Sequence, residues 1–152
     1  MPLRYDLEDL YIWRVTMSRF DVLTKYILLI PEDSIGEWVV DNENDGTPEH
    51  PIQFPYVDYS EMVHNFIKDV YAFGDEFKDI GLTQYGIILE ENGIGLNITE
   101  MKKADVSKFD SQGVLALIMG ALRADRFCEG DLLSFFKNGC ILKWLKRLDS
   151  IE

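Results

Sequence analysis

The sequence predicts a mainly α fold: one compact domain over residues 1–152, built from about six or seven helices with a small β-hairpin near residues 35–55. Three observations predict it. Apolar residues recur at three- and four-residue spacing along most of the chain, the signature of amphipathic helices. Capping residues precede these runs, and glycine or proline follows them. A single dense turn signal, Asp41-Asn42-Glu43-Asn44-Asp45-Gly46-Thr47-Pro48, sits between two short stretches of β-forming residues. An apolar content of 47%, with 12% aromatic, is that of a chain able to bury a core rather than stay disordered.

The elements follow in order. Leu7, Leu10, Tyr11 and Val15 form one helical stripe, and Phe20, Leu23, Ile27 and Ile30 a second. Ser18 with Asp21 three residues on is an acidic variant of the capping box, so two helices jointed near Thr16–Ser18 and one long helix are both open readings. Pro31 ends the run. Ile35–Val40 reads as a strand, with Ile52-Gln53-Phe54 as its returning partner. Asp58 or Ser60 caps a helix that buries Met62, Val63, Phe66, Ile67, Val70 and Tyr71 and stops at Phe73-Gly74. After a loop to Gly81, Thr83 caps a shorter helix that Asn92-Gly93 closes, and Thr99–Ala104 adds a further turn. Asp110 or Ser111 opens the most apolar helix, Gly130 breaks it, Asp131 opens the next, and Asn138-Gly139 separates that from a last amphipathic helix.

Charge is distributed unevenly. Residues 1–100 carry 20 acidic and 6 basic side chains, or −14, whereas residues 101–152 carry 7 and 9, or +2. An acidic body repels phosphates and anionic lipid, so no nucleic-acid or membrane partner is expected. The small basic group Lys137, Lys143, Lys146 and Arg147 is expected to complement helix C-termini or pair with the acidic body. No apolar run approaches the roughly 20 residues of a membrane span. The acidic start of the chain lacks a secretory signal, so a cytoplasmic setting and two reduced thiols, Cys128 and Cys140, are expected.

The stretch Arg123-Ala124-Asp125-Arg126-Phe127-Cys128-Glu129-Gly130 places four charges and a thiol at the end of that apolar helix. On a helical projection Asp125 continues the stripe of Val114, Ile118 and Ala121, and Arg126 that of Leu115 and Leu122. An unpaired buried charge costs several kcal/mol, so both are expected to have partners. Arg126 reaches Glu129 at three-residue spacing, and Asp125 is placed to accept from the backbone N–H groups that open the helix after Gly130. On the structural reading this is an ion-pair and capping cluster that sets a helix corner, with Phe127 in the core. On the functional reading Arg123 or Arg126 receives an anion in a pocket that includes Glu129 and either Cys128 or His64. A catalytic thiol needs a base, and the chain has only His50 and His64. A buried, inert Cys128 is the ordinary alternative.

Other chemistries find less support. The cysteine and histidine spacings match no zinc site, and the acidic loop Asp41–Glu49 fails the calcium-loop pattern, so no metal or cofactor is expected. Gly93-Ile94-Gly95 lacks the third glycine and the strand–helix context of a dinucleotide site. Phe54-Pro55-Tyr56-Val57-Asp58-Tyr59-Ser60, with Trp38 nearby, reads either as a staple and cap for the following helix or as an apolar cleft lined by Trp38, Tyr56 and Tyr59.

Three pieces together resemble a bacterial family of small proteins classed as a domain of unknown function. They are Pro55-Tyr56-Val57-x-Tyr59-Ser60, the Arg123–Gly130 stretch, and Gly139-x-Ile141-Leu142-x-x-Leu145-x-Arg147-Leu148, over about residues 20–148. Where members carry a tryptophan-containing segment, this chain reads Ile80-Gly81-Leu82-Thr83-Gln84-Tyr85-Gly86. The resemblance implies a cytoplasmic bacterial protein and brings no catalytic residues. Residues and resemblance together point to a non-enzymatic binding or protein-interaction module, whose partner is a protein or a small anionic ligand. A small hydrolase or transferase with an anion pocket is the alternative, and an acidic mimic of nucleic acid a third reading.

Overall fold

The computed structural model of the chain describes residues 18–151. The first predicted stripe, Leu7 to Val15, and most of the Thr16–Ser18 joint lie outside the described residues. From Ser18 the capping arrangement is present. The Ser18 N–H donates to Asp21 Oδ2 and the Asp21 N–H donates back to the Ser18 carbonyl, both at 3.1 Å. Two one-turn helices follow, α1 (Asp21–Thr24) and α2 (Tyr26–Leu29), and the chain leaves helix at Ile30 before Pro31.

The hairpin is present, with its second strand later than expected. β1 (Gly36–Val39) pairs antiparallel with β2 (Tyr56–Tyr59), Gly36 opposite Tyr59 and Trp38 opposite Val57. Ile52–Phe54 is not the returning strand, for two chemical reasons. Pro55 has no N–H to give to a ladder. The Gln53 N–H is already donated to Asp41 Oδ2 at 2.8 Å. That carboxylate also accepts from the Glu43 and Asn44 N–H groups and from the Asn44 side chain, so the long loop winds around Asp41. These donors, Gln53 first, hold the Asp41 carboxyl well below the usual carboxylate range. Within the hairpin the side chains alternate: Val57 is buried, while Glu37 and Asp58, directly opposite each other, are exposed.

Ser60 caps α3 (Glu61–Glu76), its Oγ accepting from the Val63 N–H at 3.3 Å. The helix runs on through Gly74 instead of stopping there. Gly74 faces Leu82 and Met119, and this packing outweighs the ~1 kcal/mol a mid-helix glycine costs. Two 3₁₀ turns, Lys78–Ile80 and Leu82–Gln84, lead into α4 (Tyr85–Glu91), so Thr83 lies inside a turn and caps nothing. Asn92-Gly93 closes α4 with Gly93 at φ +77°. Asn97 caps α5 (Ile98–Lys103), and Asp110 caps α6 (Ser111–Phe127) through the Gly113 N–H at 2.8 Å. Last come α7 (Asp131–Lys137) and α8 (Cys140–Ile151).

Helix α6 is the centre. Every residue from Gly113 to Leu122 is buried, with α4, α5, α7 and α8 packed around it. α8 also packs on α1 and α2, and α1 on α3, so the buried side chains form one contiguous core. Two of the predicted basic residues serve this arrangement. Lys143 donates to the carbonyl of Ala104, the C-cap of α5, and Arg147 donates twice to the Phe109 carbonyl just before α6, at 3.2 and 2.9 Å.

Candidate functional site

After Leu122, α6 emerges from the core. Arg123, Ala124 and Asp125 are half-buried, and Arg126, Phe127, Cys128 and Glu129 are exposed. Gly130 then turns the chain at φ +93° into α7. A helix start leaves orphan N–H groups that need acceptors, and the residue before α7 has no side chain to offer. The acceptors come from elsewhere. Asp125 Oδ1 accepts from the Gly130 and Leu132 N–H groups, both at 3.1 Å, and from the Tyr59 hydroxyl at 2.9 Å. The Tyr59 oxygen in turn accepts from the Leu133 N–H at 3.0 Å. The carboxylate thus sits at the positive end of α7, where negative charge is favoured. Burial, together with the Asp125 hydrogen bond, pushes the Tyr59 phenol well above its ordinary value.

Two further contacts tie the hairpin to this corner. Glu129 Oε1 accepts from the Val57 N–H at 2.9 Å and so covers a donor of β2 that β1 does not use. The Trp38 ring lies directly on Gly130, where an added Cβ would collide with Trp38 Cζ2. Asp125, Glu129 and Gly130 therefore fasten Trp38, Val57 and Tyr59, joining β1 and β2 to the α6–α7 corner. Hydrogen bonds to a charged group contribute about 1.5–3 kcal/mol each.

The predicted residues separate accordingly. Asp125 accepts from the N–H groups after Gly130, as its position on the helix implies. Arg126 does not continue the buried stripe and makes no ion pair with Glu129. It is exposed, with its guanidinium carbon 5.7 Å from the Tyr71 ring centroid. The ion pairs among the described residues are Arg19–Asp79 at 3.1 Å and Lys25–Asp69 at 3.2 Å. Phe127 is 85% exposed rather than in the core. Cys128 is an exposed thiol, not a buried one, while Cys140 is buried. The negative charge of Asp131 raises the Cys128 thiol pKa, the opposite of what a nucleophile needs. His64 packs edge-on against Tyr59, with ring centroids 6.4 Å apart.

Besides an open depression of about 380 Å³ on the corner itself, lined by Trp38, Gly130, Leu133, Ser134, Lys137 and Asn138, three lie near these elements. A groove of about 310 Å³ at the loop end of the hairpin is lined by Val39, Val40, Phe54 and Tyr56 on one side and by the polar Asp41–Asn44 turn and Gln53 on the other. Phe54 is 89% exposed, so the aromatic stretch presents itself outward instead of lining a closed cleft with Trp38 and Tyr59. A second, of about 200 Å³, lies between α3, the Leu82–Gln84 turn and α6, with Arg123 at its edge. In a broader polar depression of about 690 Å³ between α2 and α3, Asp69 pairs with Lys25 and accepts from the Tyr26 hydroxyl, the latter at 2.5 Å. Sequence reasoning missed the first groove because its walls come from either side of the Asp41 loop. A run of exposed Val, Phe and Tyr around an acidic turn is the signal that was present.

Residues 89–152 match a family model described as "Family of unknown function (DUF6508)". The match takes in the Arg123–Gly130 stretch and α5 to α8, and leaves out the hairpin and α3. No curated protein and no solved structure matches the chain. No helix among the described residues is long and apolar enough to cross a membrane.

Proposed function

We propose that the chain is a cytoplasmic protein-interaction module that docks a basic, amphipathic protein segment on its hairpin. One observation carries this reading: the groove lined by Val39, Val40, Phe54 and Tyr56 lies in the most one-sidedly charged part of the chain. Residues 31–60 hold eight acidic side chains and neither lysine nor arginine. A partner that fits offers apolar side chains to the groove and Lys or Arg to the carboxylates around it. An acidic peptide or a nucleic acid would be repelled. The Arg123–Gly130 stretch takes the role of anchor, holding the hairpin at a set angle so that the groove is formed before a partner arrives. Catalysis has less support, because the exposed Cys128 has a carboxylate beside it where a base would be needed.

Titration of the ¹⁵N-labelled protein with an amphipathic Leu/Lys helical peptide tests the proposal, with a scrambled peptide of the same composition and a Leu/Glu amphipathic peptide alongside. Saturable shifts at Val39, Val40, Phe54 and Tyr56 are expected for the first peptide only, weakening with salt and falling about tenfold or more in Phe54→Ser. Equal binding of the scrambled peptide, an unchanged affinity in Phe54→Ser, or self-association that buries Phe54 would each overturn the reading.

A further inference from the structure

We infer that the cleft beside Arg123 binds a small monocarboxylate with a compact apolar body, at a site separate from the hairpin groove. Arg123 is half-buried at the edge of the cleft, and no carboxylate of the described residues lies within ion-pair reach of it. Its neighbours are the side-chain oxygens of Tyr71 and Tyr85, which favour its charged form. Two phenol oxygens cannot use the five N–H donors of a guanidinium. A planar cation with donors to spare, partly withdrawn from water, is matched best by the planar, bidentate carboxylate group.

The rest of the cleft sets the ligand's shape. Leu82 and Met119, both buried, form its floor. At Gly74 an added Cβ would stand 3.7 Å from Leu82 Cδ1 and 3.7 Å from Met119 Cε, so the glycine leaves the space over that floor open. The volume, about 200 Å³, lies below the roughly 300 Å³ at which drug-sized sites begin, which restricts the apolar body to a short chain or one ring. Asp75 lines the same cleft and repels any anion, a doubly charged one about twice as strongly as a singly charged one. Phosphate is thereby disfavoured, and so is a dicarboxylate. The family match covers Arg123 and Met119 but not Tyr71, Gly74 or Leu82, so the cleft is assembled across its boundary.

The test is an NMR titration with butyrate, benzoate and inorganic phosphate. A chain of net charge −12 repels anions generally, so saturable carboxylate binding has to come from a local cation. Butyrate and benzoate are expected to shift the backbone resonances of Tyr71, Gly74, Tyr85 and Arg123 saturably, with a Kd on the order of 1 mM for one charge-assisted pair in an open cleft. Arg123→Gln is expected to weaken binding about tenfold or more. Gly74→Leu, which keeps Arg123 and fills the floor, is expected to abolish it and serves as the second variant. No saturable carboxylate shift, binding undiminished in both variants, or phosphate bound as tightly as benzoate would overturn the inference.

Discussion

Tyr59 and Asp125 stand 66 residues apart in sequence and share a 2.9 Å hydrogen bond. Through it a two-stranded hairpin, marginal by itself in water, becomes part of a helical body. The same two side chains accept from three backbone N–H groups in the first turn of α7: Asp125 from Gly130 and Leu132, Tyr59 from Leu133. Removing Asp125 leaves donors without an acceptor on both elements, and removing the Tyr59 hydroxyl orphans the Leu133 N–H.

Asp125→Ala orphans two backbone N–H groups and the Tyr59 hydroxyl, so a loss of about 3 kcal/mol is expected. At about 2–4 °C per kcal/mol for a chain of this size, that lowers Tm by roughly 6–12 °C. Tyr59→Phe keeps the Asp125 contacts to α7 and is expected to cost about half as much. Thermal unfolding followed by circular dichroism checks the order.

Gly130 and Gly93 both have positive φ, +93° and +77°, but differ in surroundings. A Cβ at Gly93 meets nothing within 4 Å, whereas one at Gly130 collides with the Trp38 ring. Gly93→Ala is expected to carry only the backbone strain of about 1 kcal/mol, and Gly130→Ala that strain plus the displacement of Trp38. Urea unfolding of the two variants, with tryptophan fluorescence, separates the terms: equal losses would show that Trp38 does not rest on Gly130.

Burial comes first among the causes that raise the Tyr59 phenol and the Tyr26 phenol, followed by the hydrogen bonds to Asp125 and Asp69. A pKa raised on folding means the native state holds the proton more tightly than the unfolded chain. Stability from these groups is complete below the unfolded value of about 10 and is lost as pH rises past it. Unfolding free energy is therefore expected to fall above about pH 10, and to fall less steeply in Tyr59→Phe. A flat profile to pH 12 would contradict the burial of these phenols.

The two cysteines are expected to label differently. In the native protein iodoacetamide modifies the exposed Cys128 and spares the buried Cys140. The Asp131 charge keeps Cys128 slower at neutral pH than a free cysteine, since only the thiolate reacts. Mass spectrometry of the alkylated chain reads both; a Cys128 faster than free cysteine would revive a nucleophilic role.

Elements whose signals are local were legible in the sequence: the caps Ser60 and Asp110 act within three residues, and α6 follows its own apolar run. The position of Asp125 was legible for the same reason, because its backbone partners lie five and seven residues on. Its third partner, Tyr59, was not, since no periodicity reports a contact across 66 residues. Projecting the apolar stripe beyond Leu122 failed for Arg126, because a helical projection assumes the core continues alongside, and α6 leaves it there. Cys128 and Phe127 were misplaced with it. The returning strand was misplaced because Asp41, twelve residues away, takes the Gln53 N–H. The groove at the hairpin's loop end is built around that same bond.

Amide hydrogen exchange at Val57, Leu132 and Leu133 tests most directly whether the Arg123–Gly130 stretch anchors the hairpin. Each N–H ends on a side chain of another element: Glu129, Asp125 and Tyr59 respectively. All three are expected to be protected in the native protein. Leu132 and Leu133 are expected to lose protection together in Asp125→Ala, and Val57 in Glu129→Ala. Exchange at the rate of open loop amides in the native protein, or protection untouched by both substitutions, would show that the hairpin is not held there.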